Sequence, residues 1–320
     1  MQIINTYIRK IKLVTKGYIA FLFFKVMGKK FNQQQTITIF GAPRSGSTWL
    51  AELLSSCPEH LQIFEPLHPE NVRQVKQVIP TRNHYISAEQ PWDDGKKLFT
   101  KILTGKLLNP WILSQAKLLK IFQSKRLVIK FVRANLMLDW FTQNLNVLPP
   151  VLIVRHPCAV IASQLKKGWP PSKIQLLNHP YLEQYPSIKS KCLGLSTSEE
   201  LAALAWCLRY HAPLSASKPY KFILVTYEEL VLNGDLVLKN IFKKLQLTYS
   251  DQIARQLIKP SDTSTEKEKI NQRDHILTSW QQTLTADQID NILSVVNIFN
   301  MAFYNKNIEA DYQLLKNFNG

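Results

Sequence analysis

Short apolar, β-branched runs recur along the chain at 36–40 (TITIF), 61–65, 126–132, 151–154 (VLIV) and 222–226. Their length and composition predict buried strands. Between them, apolar positions at helical spacing cover 47–57, 157–167, 198–216, 235–246 and 284–300 and predict helices. Strand and helix signals alternate without an internal repeat, which predicts an α/β fold: a P-loop-type three-layer sandwich around a central, mainly parallel sheet. In such a sheet, ligands bind at the carboxyl ends of the strands. The strand-like runs end in Glu65, Arg133, Arg155 and Tyr227, and the loop after Phe40 opens on the same edge.

Two intervals, 72–124 and 168–197, are longer than connections usually are and are rich in Pro, Trp, Tyr and Lys. Insertions of this kind build lids or acceptor pockets. Trp92, Trp111, Trp169, Tyr181 and Tyr185 are the aromatic candidates for such a pocket; packing within the insertions is the other reading.

The loop after the first strand reads GAPRSGST (Gly41–Thr48), the G-x-x-x-x-G-K-[ST] frame of a phosphate cradle with Ser47 where the lysine would stand. Backbone N–H groups at a helix N-terminus converge on an anion, and the helix dipole adds to the attraction. A kinase or ATPase also needs the lysine and, as a rule, a carboxylate-held Mg²⁺. Here the cation, Arg44, lies three positions earlier, and no strand-terminal Asp reads as a metal ligand. A short anionic chain held without a metal is the expectation. A second anion motif follows at Pro149–Ser163 (PPVLIVRHPCAVIAS): a strand, Arg155, a Pro-opened helix, and Ser163 eight residues after the arginine. Arg155 and Ser163 face one anion only if the strand end lies back over that helix.

Together these segments resemble the sulfotransferase family that uses 3′-phosphoadenosine 5′-phosphosulfate (PAPS). The resemblance rests on GAPRSGSTW (Gly41–Trp49), LIVRHPCAVIAS (Leu152–Ser163), VTYEEL (Val225–Leu230) and Trp280-x-x-x-Leu284, and spans roughly residues 36 to 304. It implies that Arg44, Ser45, Gly46, Ser47 and Thr48 hold the 5′-phosphosulfate, that Arg155 and Ser163 bind the 3′-phosphate, and that Trp49 stacks near the adenine. Tyr227 is a further adenine contact by the same resemblance. For both aromatics a core position is the alternative. His156 stands where many relatives carry an acidic residue.

Sulfuryl transfer requires the acceptor to lose a proton while the leaving phosphate oxygen gains charge, so a base and cationic clamps are expected. Glu65, before Pro66 in LQIFEPL, is the chosen base and resembles the Glu-Pro segment of the carbohydrate and bacterial branch. The histidine of the K-T-H segment used by the phenol and steroid branch is absent: the matching strand reads Lys130-Phe131-Val132. That departure favours a sugar-like or aliphatic hydroxyl on a glycan or small molecule. Lys130, costly to bury without an anion, is the candidate for stabilising the leaving oxygen, and Arg44 is counted with Glu65 and Lys130 among the catalytic residues. His68 is the alternative base. The mixed-charge stretch Pro260–Arg273, with Lys267 and Lys269, lies where the family closes its cofactor site but lacks the Arg-Lys-Gly segment.

The 320 residues carry 40 Lys and Arg against 23 Asp and Glu, a formal charge of +17, with 45% hydrophobic residues. The lysines are dispersed and no nucleic-acid-binding module is present, so a polyanionic cofactor, an acidic glycan or an anionic membrane suits the charge better than nucleic acid. Residues 1–31 mix apolar residues with lysines. Their longest uncharged run near the centre, Gly17–Phe24, is far below the ~20 residues of a membrane span. The segment reads either as an interfacial helix giving peripheral membrane contact or as a helix packed on the domain. The expected division is 1–31, a sulfotransferase domain over 32–310, and a tail over 311–320. The four cysteines have no metal-ligand spacing and read as free thiols of a cytoplasmic protein. A P-loop kinase or ATPase, and a non-catalytic nucleotide- or membrane-binding protein, are the competing functions.

Overall fold

The computed structural model describes residues 2–168, 171–216, 218–257, 273–318 and 320. Five strands, β1 (Ile37–Gly41), β2 (His60–Ile63), β3 (Arg126–Phe131), β4 (Val151–Val154) and β5 (Ile223–Thr226), form one sheet in the order β2-β3-β1-β4-β5. Every pairing is parallel. The chain leaves β1 for one side of the sheet and crosses it to reach β4, so the carboxyl end of β1 is the topological switch point where such sheets bind ligands.

Alternation along the strands sorts the core into two layers. Ile37, Ile39, Val128, Val151, Ile153, Ile223 and Val225 pack against the helix α2 (Ser47–Leu54) and the helices Tyr227–Leu232 and Gly234–Lys244. Phe40, Leu127, Ile129, Phe131, Leu152 and Val154 face the other way, into a larger core with Pro157–Leu165, Ser198–Leu214 and Ala286–Ile298. By the same parity Lys130, in register with Ile39, follows Val128 onto the α2 side.

The strands fall within two residues of the expected runs. Two end earlier, β3 at Phe131 and β2 at Ile63, which leaves Glu65 in the following turn, and Tyr227, expected at a strand end, opens a helix capped by the Thr226 side chain. The helix expected over 284–300 is Ala286–Ile298, started by a reciprocal Thr285–Gln288 capping box, with a separate helix, Arg273–Thr283, before it. The insertions are themselves helical, including Asp93–Leu103, Leu118–Gln123 and Pro186–Cys192. Trp92 packs on Phe99 and Trp140, and Tyr181 on Tyr185 and His211, so these aromatics consolidate the insertions. Trp169 and most of the Pro260–Arg273 stretch, Lys267 and Lys269 included, lie outside the described residues.

The N-terminal helix α1 (Gln2–Met27) lies against the domain through Gly17, Ala20 and Phe24. A Cβ on Gly17 would stand 2.1 Å from the Pro110 carbonyl oxygen, so glycine sets that close approach. Among the described residues no helix is long and apolar enough to cross a membrane. Cys57, Cys158, Cys192 and Cys207 are all free thiols.

Four histidines are buried in this scaffold: His60, His156, His179 and His211. His156 caps the helix Pro157–Leu165, its Nδ1 accepting from the Cys158 N–H while Nε2–H donates to the Asn305 carbonyl at 2.8 Å. Burial lowers His60, His156 and His211 from the usual histidine value to about 4, and lowers His179 as well. Between that value and ~6.5 the unfolded chain binds more protons than the folded one, so their contribution is complete above ~pH 6.5 and is lost on acidification. Urea unfolding should therefore give a stability that is flat above about pH 7 and falls by up to ~4 kcal/mol per pH unit below pH 6. His156→Asn, which keeps a capping acceptor, should lower that slope by about one proton's worth.

Candidate active site

The loop between β1 and α2 turns through two left-handed residues, Arg44 at φ 75° and Gly46 at φ 85°. Gly46 is the N-cap of α2 and offers no side chain, so no side-chain acceptor caps the first turn of that helix. N–H groups left open at a helix start, with the dipole behind them, suit an anion. Ser45, Ser47 and Thr48 belong to this turn, with Ser45 and Ser47 buried. Glycine at 46 also admits Tyr227: a Cβ there would lie 2.2 Å from its ring.

Arg44, Arg155 and Ser163, from three separate segments, form one cluster. Arg44 Nε–H donates to Ser163 Oγ at 2.8 Å, and Arg155 Nη1–H donates to the Arg44 carbonyl at 3.1 Å. The strand end therefore does fold back over the helix that carries Ser163. The Arg44 guanidinium turns toward Ser163. Among the described residues neither arginine has a carboxylate at ion-pair distance. Arg155 Nε is buried without a hydrogen-bond partner, and the guanidinium lies 4.2 Å from the centre of the Tyr227 ring. Burial, and then the neighbouring Arg155, hold Arg44 below the usual arginine range. Two adjacent cations and an orphaned N–H are the chemistry of a site for a phosphate-like anion. Trp49, on α2, meets Tyr227 edge to face at 6.0 Å.

A second group lies at the ends of β2 and β3. Lys130 is 4% exposed, and its Nζ donates to Thr48 Oγ1 at 2.9 Å and to Glu65 Oε1 at 3.3 Å. Arg133 Nη1 donates to Glu65 Oε2, also at 3.3 Å. Burial lowers the Lys130 ammonium, with the Glu65 carboxylate opposing that shift. Glu65 stands at φ 33°, a backbone state unusual for an L-residue and one that clusters at functional sites. His68 packs on Trp111, and Trp111 on Phe64, so one aromatic from the first insertion reaches the neighbourhood of Glu65. Burial is the first cause of a lowered His68. Thr48 joins the two groups, since it belongs to the loop and touches Lys130.

The supporting residues had weaker signals in the sequence. Tyr210 Oη accepts from the Ala42 N–H and donates to the Ile153 carbonyl, both at 3.0 Å, and so ties the loop to β4. Gln164 donates to the Pro43 carbonyl at 3.1 Å. Glu228 takes the His156 N–H at 2.9 Å and the Tyr304 hydroxyl at 2.8 Å. Trp206 Nε1–H holds the Arg155 carbonyl at 3.2 Å. Trp280 stacks on His156 at 4.6 Å. Only Glu228, inside VTYEEL, and Trp280 stood within a motif. Among the described residues no group of three or more His, Cys, Asp or Glu side chains converges as a metal cage.

In comparisons with known proteins, the family described as the sulfotransferase domain matches residues 34–297. No curated protein matches the chain. Among solved structures the chain is similar to the sulfotransferase domain from the Synechococcus PCC 7002 olefin synthase, at 17% identity over 85% of this chain and 98% of that one, with a TM-score of 0.46. It is similar to the sulfotransferase domain from the curacin biosynthetic pathway, at 17% identity over 84% and 98%, with a TM-score of 0.45. It is also similar to a mouse sulfotransferase, SULT7A1, complexed with PAP, at 13% identity over 90% of each chain, with a TM-score of 0.41.

Replacing Gly46 with alanine should be far more disruptive than its size suggests, because the methyl meets the Tyr227 ring and the backbone is left-handed. A loss of ~2–4 kcal/mol is expected from overpacking and strain together. Thermal unfolding of the variant against the parent checks it.

Proposed function

The chain belongs to the sulfotransferase family, and from that premise we propose that it transfers the sulfuryl group of PAPS to an acceptor hydroxyl, with Glu65 as general base. The observation that supports this most is the pair Arg44 and Arg155, adjacent and without a carboxylate partner, with the orphaned Arg155 Nε between strand and loop. A sulfuryl donor without a second phosphate would leave those cations unmatched; a 3′-phosphorylated nucleotide matches them.

In this reading Arg155, Ser163 and the Arg44 guanidinium bind the 3′-phosphate, and the N–H groups of Arg44 to Thr48 at the start of α2 hold the 5′ end. Trp49 and Tyr227, in edge contact, give the adenine an apolar wall. PAPS supplies an activated sulfur whose bond to the 5′-phosphate oxygen breaks as the acceptor oxygen bonds to it. Glu65 accepts the proton that the acceptor hydroxyl gives up. Lys130 offsets the charge that develops on the departing phosphate oxygen, and its bond to Thr48 keeps it beside the loop. Arg133 holds the other Glu65 oxygen, so the carboxylate is oriented before the acceptor arrives. His68 and Trp111 stand on the acceptor side, and a sugar or other aliphatic hydroxyl packed against an aromatic face suits them. The domain responsible is taken as residues 32–310.

Glu65→Gln keeps the shape and one of the two accepted hydrogen bonds but removes the base, so turnover should fall by ~10²–10⁴-fold with donor binding retained. A radiolabelled-sulfate transfer assay over an acceptor panel reads the first, and a thermal-shift titration with 3′-phosphoadenosine 5′-phosphate reads the second. Turnover unchanged by the substitution would remove Glu65 from the role. Arg155→Ala should weaken the bisphosphate by roughly ten- to hundredfold, the worth of a charge-assisted hydrogen bond, and adenosine 5′-phosphate hardly at all. Equal weakening of both nucleotides, or stabilisation by Mg-ATP alone, would overturn the donor assignment.

A further inference from the structure

The outer face of α1 is apolar where a surface helix is normally polar. Gly17, Ala20 and Phe24 are spent on the domain, yet Val14, Tyr18, Leu22 and Val26, one per turn, and Ile19 beside them all face outward. Leu22 is 63% exposed and Val26 85%. The patch continues onto the neighbouring helix Leu118–Gln123, where Leu118, Leu119 and Phe122 are exposed as well. Lys29 joins the two helices by donating to the carbonyls of Phe122 and Ser124. A helix with apolar residues on both faces needs something on each.

Charge identifies what the outer face fits. Residues 1–51 contain no Asp or Glu, the first carboxylate of the chain being Glu52, while seven Lys and Arg fall between positions 9 and 30. At about 100° per residue, Lys25 falls within the arc of the exposed stripe, between Val14 and Tyr18, and Lys16 lies about 60° beyond Ile19. That arrangement lets lysine stems follow the apolar surface while the ammonium heads reach outward. We propose that this two-helix face docks in the plane of an anionic membrane surface, with the stripe in the acyl boundary and the ammonium heads of Lys25 and Lys16 reaching lipid phosphates. A second copy of the chain fits worse, because apposing two such faces sets cations against cations with no carboxylate on α1 to match them.

The test is flotation of the full chain with vesicles of phosphatidylcholine plus phosphatidylglycerol, against phosphatidylcholine alone. The protein should float with the anionic vesicles only, less so as salt is raised. Leu22→Ser with Val26→Ser should weaken partitioning by about a hundredfold, the worth of two side chains withdrawn from the acyl boundary. Both positions are exposed, so the variant should unfold at the parent's temperature, which separates lost docking from lost folding. No flotation with anionic vesicles, or equal flotation of parent and variant, overturns the proposal. So does a parent dimer in sedimentation that the double substitution dissolves, since the face would then be covered by a second copy.

Discussion

An ammonium group buried on a parallel sheet is the constraint around which the site is organised. Lys130 sits in LVIKF at a position whose parity sends its side chain inward, and desolvating a lone ammonium there would cost several kcal/mol. The fold meets that cost with three neighbours from two segments: the Thr48 hydroxyl, and from the turn after β2 the Glu65 carboxylate and the face of Phe64, whose centre is 5.2 Å away. The turn after β2 must therefore bring Glu65 back toward β3, and α2 must begin close enough for its second residue to touch the lysine. The left-handed backbone at Glu65 is where the turn does this.

Charge is treated in opposite ways in the two halves of the site. Around Glu65 it is matched, with one carboxylate between Lys130 and Arg133. Around Arg44 and Arg155 it is left unmatched, and the nearest buried carboxylate, Glu228, is already taken by the His156 N–H and the Tyr304 hydroxyl. Glu228 thus stiffens the segment after Arg155 without neutralising the arginine by a direct contact. Matched charge suits a group that must be oriented before it exchanges a proton. Unmatched charge suits a group that waits for an anion.

Much of this was legible in the chain because each legible element is local. All five strands announce themselves as short apolar runs, and the loop and the Arg155 segment are contiguous motifs with unusual residue choices. The pairing of Arg44 with Ser163 was not legible, since it depends on β1 and β4 lying side by side, a fact of sheet order rather than of spacing. The role of His156 was not legible for a similar reason: its ring is taken up by a helix cap and by a carbonyl and the Trp280 face that other segments supply. Of the helices in the insertions, Leu118–Gln123 and Pro186–Cys192 are too short to show a period, whereas Asp93–Leu103 buries Gly95, Leu98, Phe99, Ile102 and Leu103 at helical spacing and was open to being read. Tyr210 gave no signal at all, being one aromatic among many apolar residues on a buried helix.

Yet Tyr210 has a consequence for selectivity. Its single hydroxyl grips the loop at Ala42 and the strand at Ile153, so the two anion subsites are fastened to one buried atom. They are consequently held at a fixed separation, like the jaws of a caliper. In the function proposed above, a nucleotide would then be judged by the span between its two anionic ends as well as by the charge it carries, and one too long or too short for the gauge would engage a single jaw.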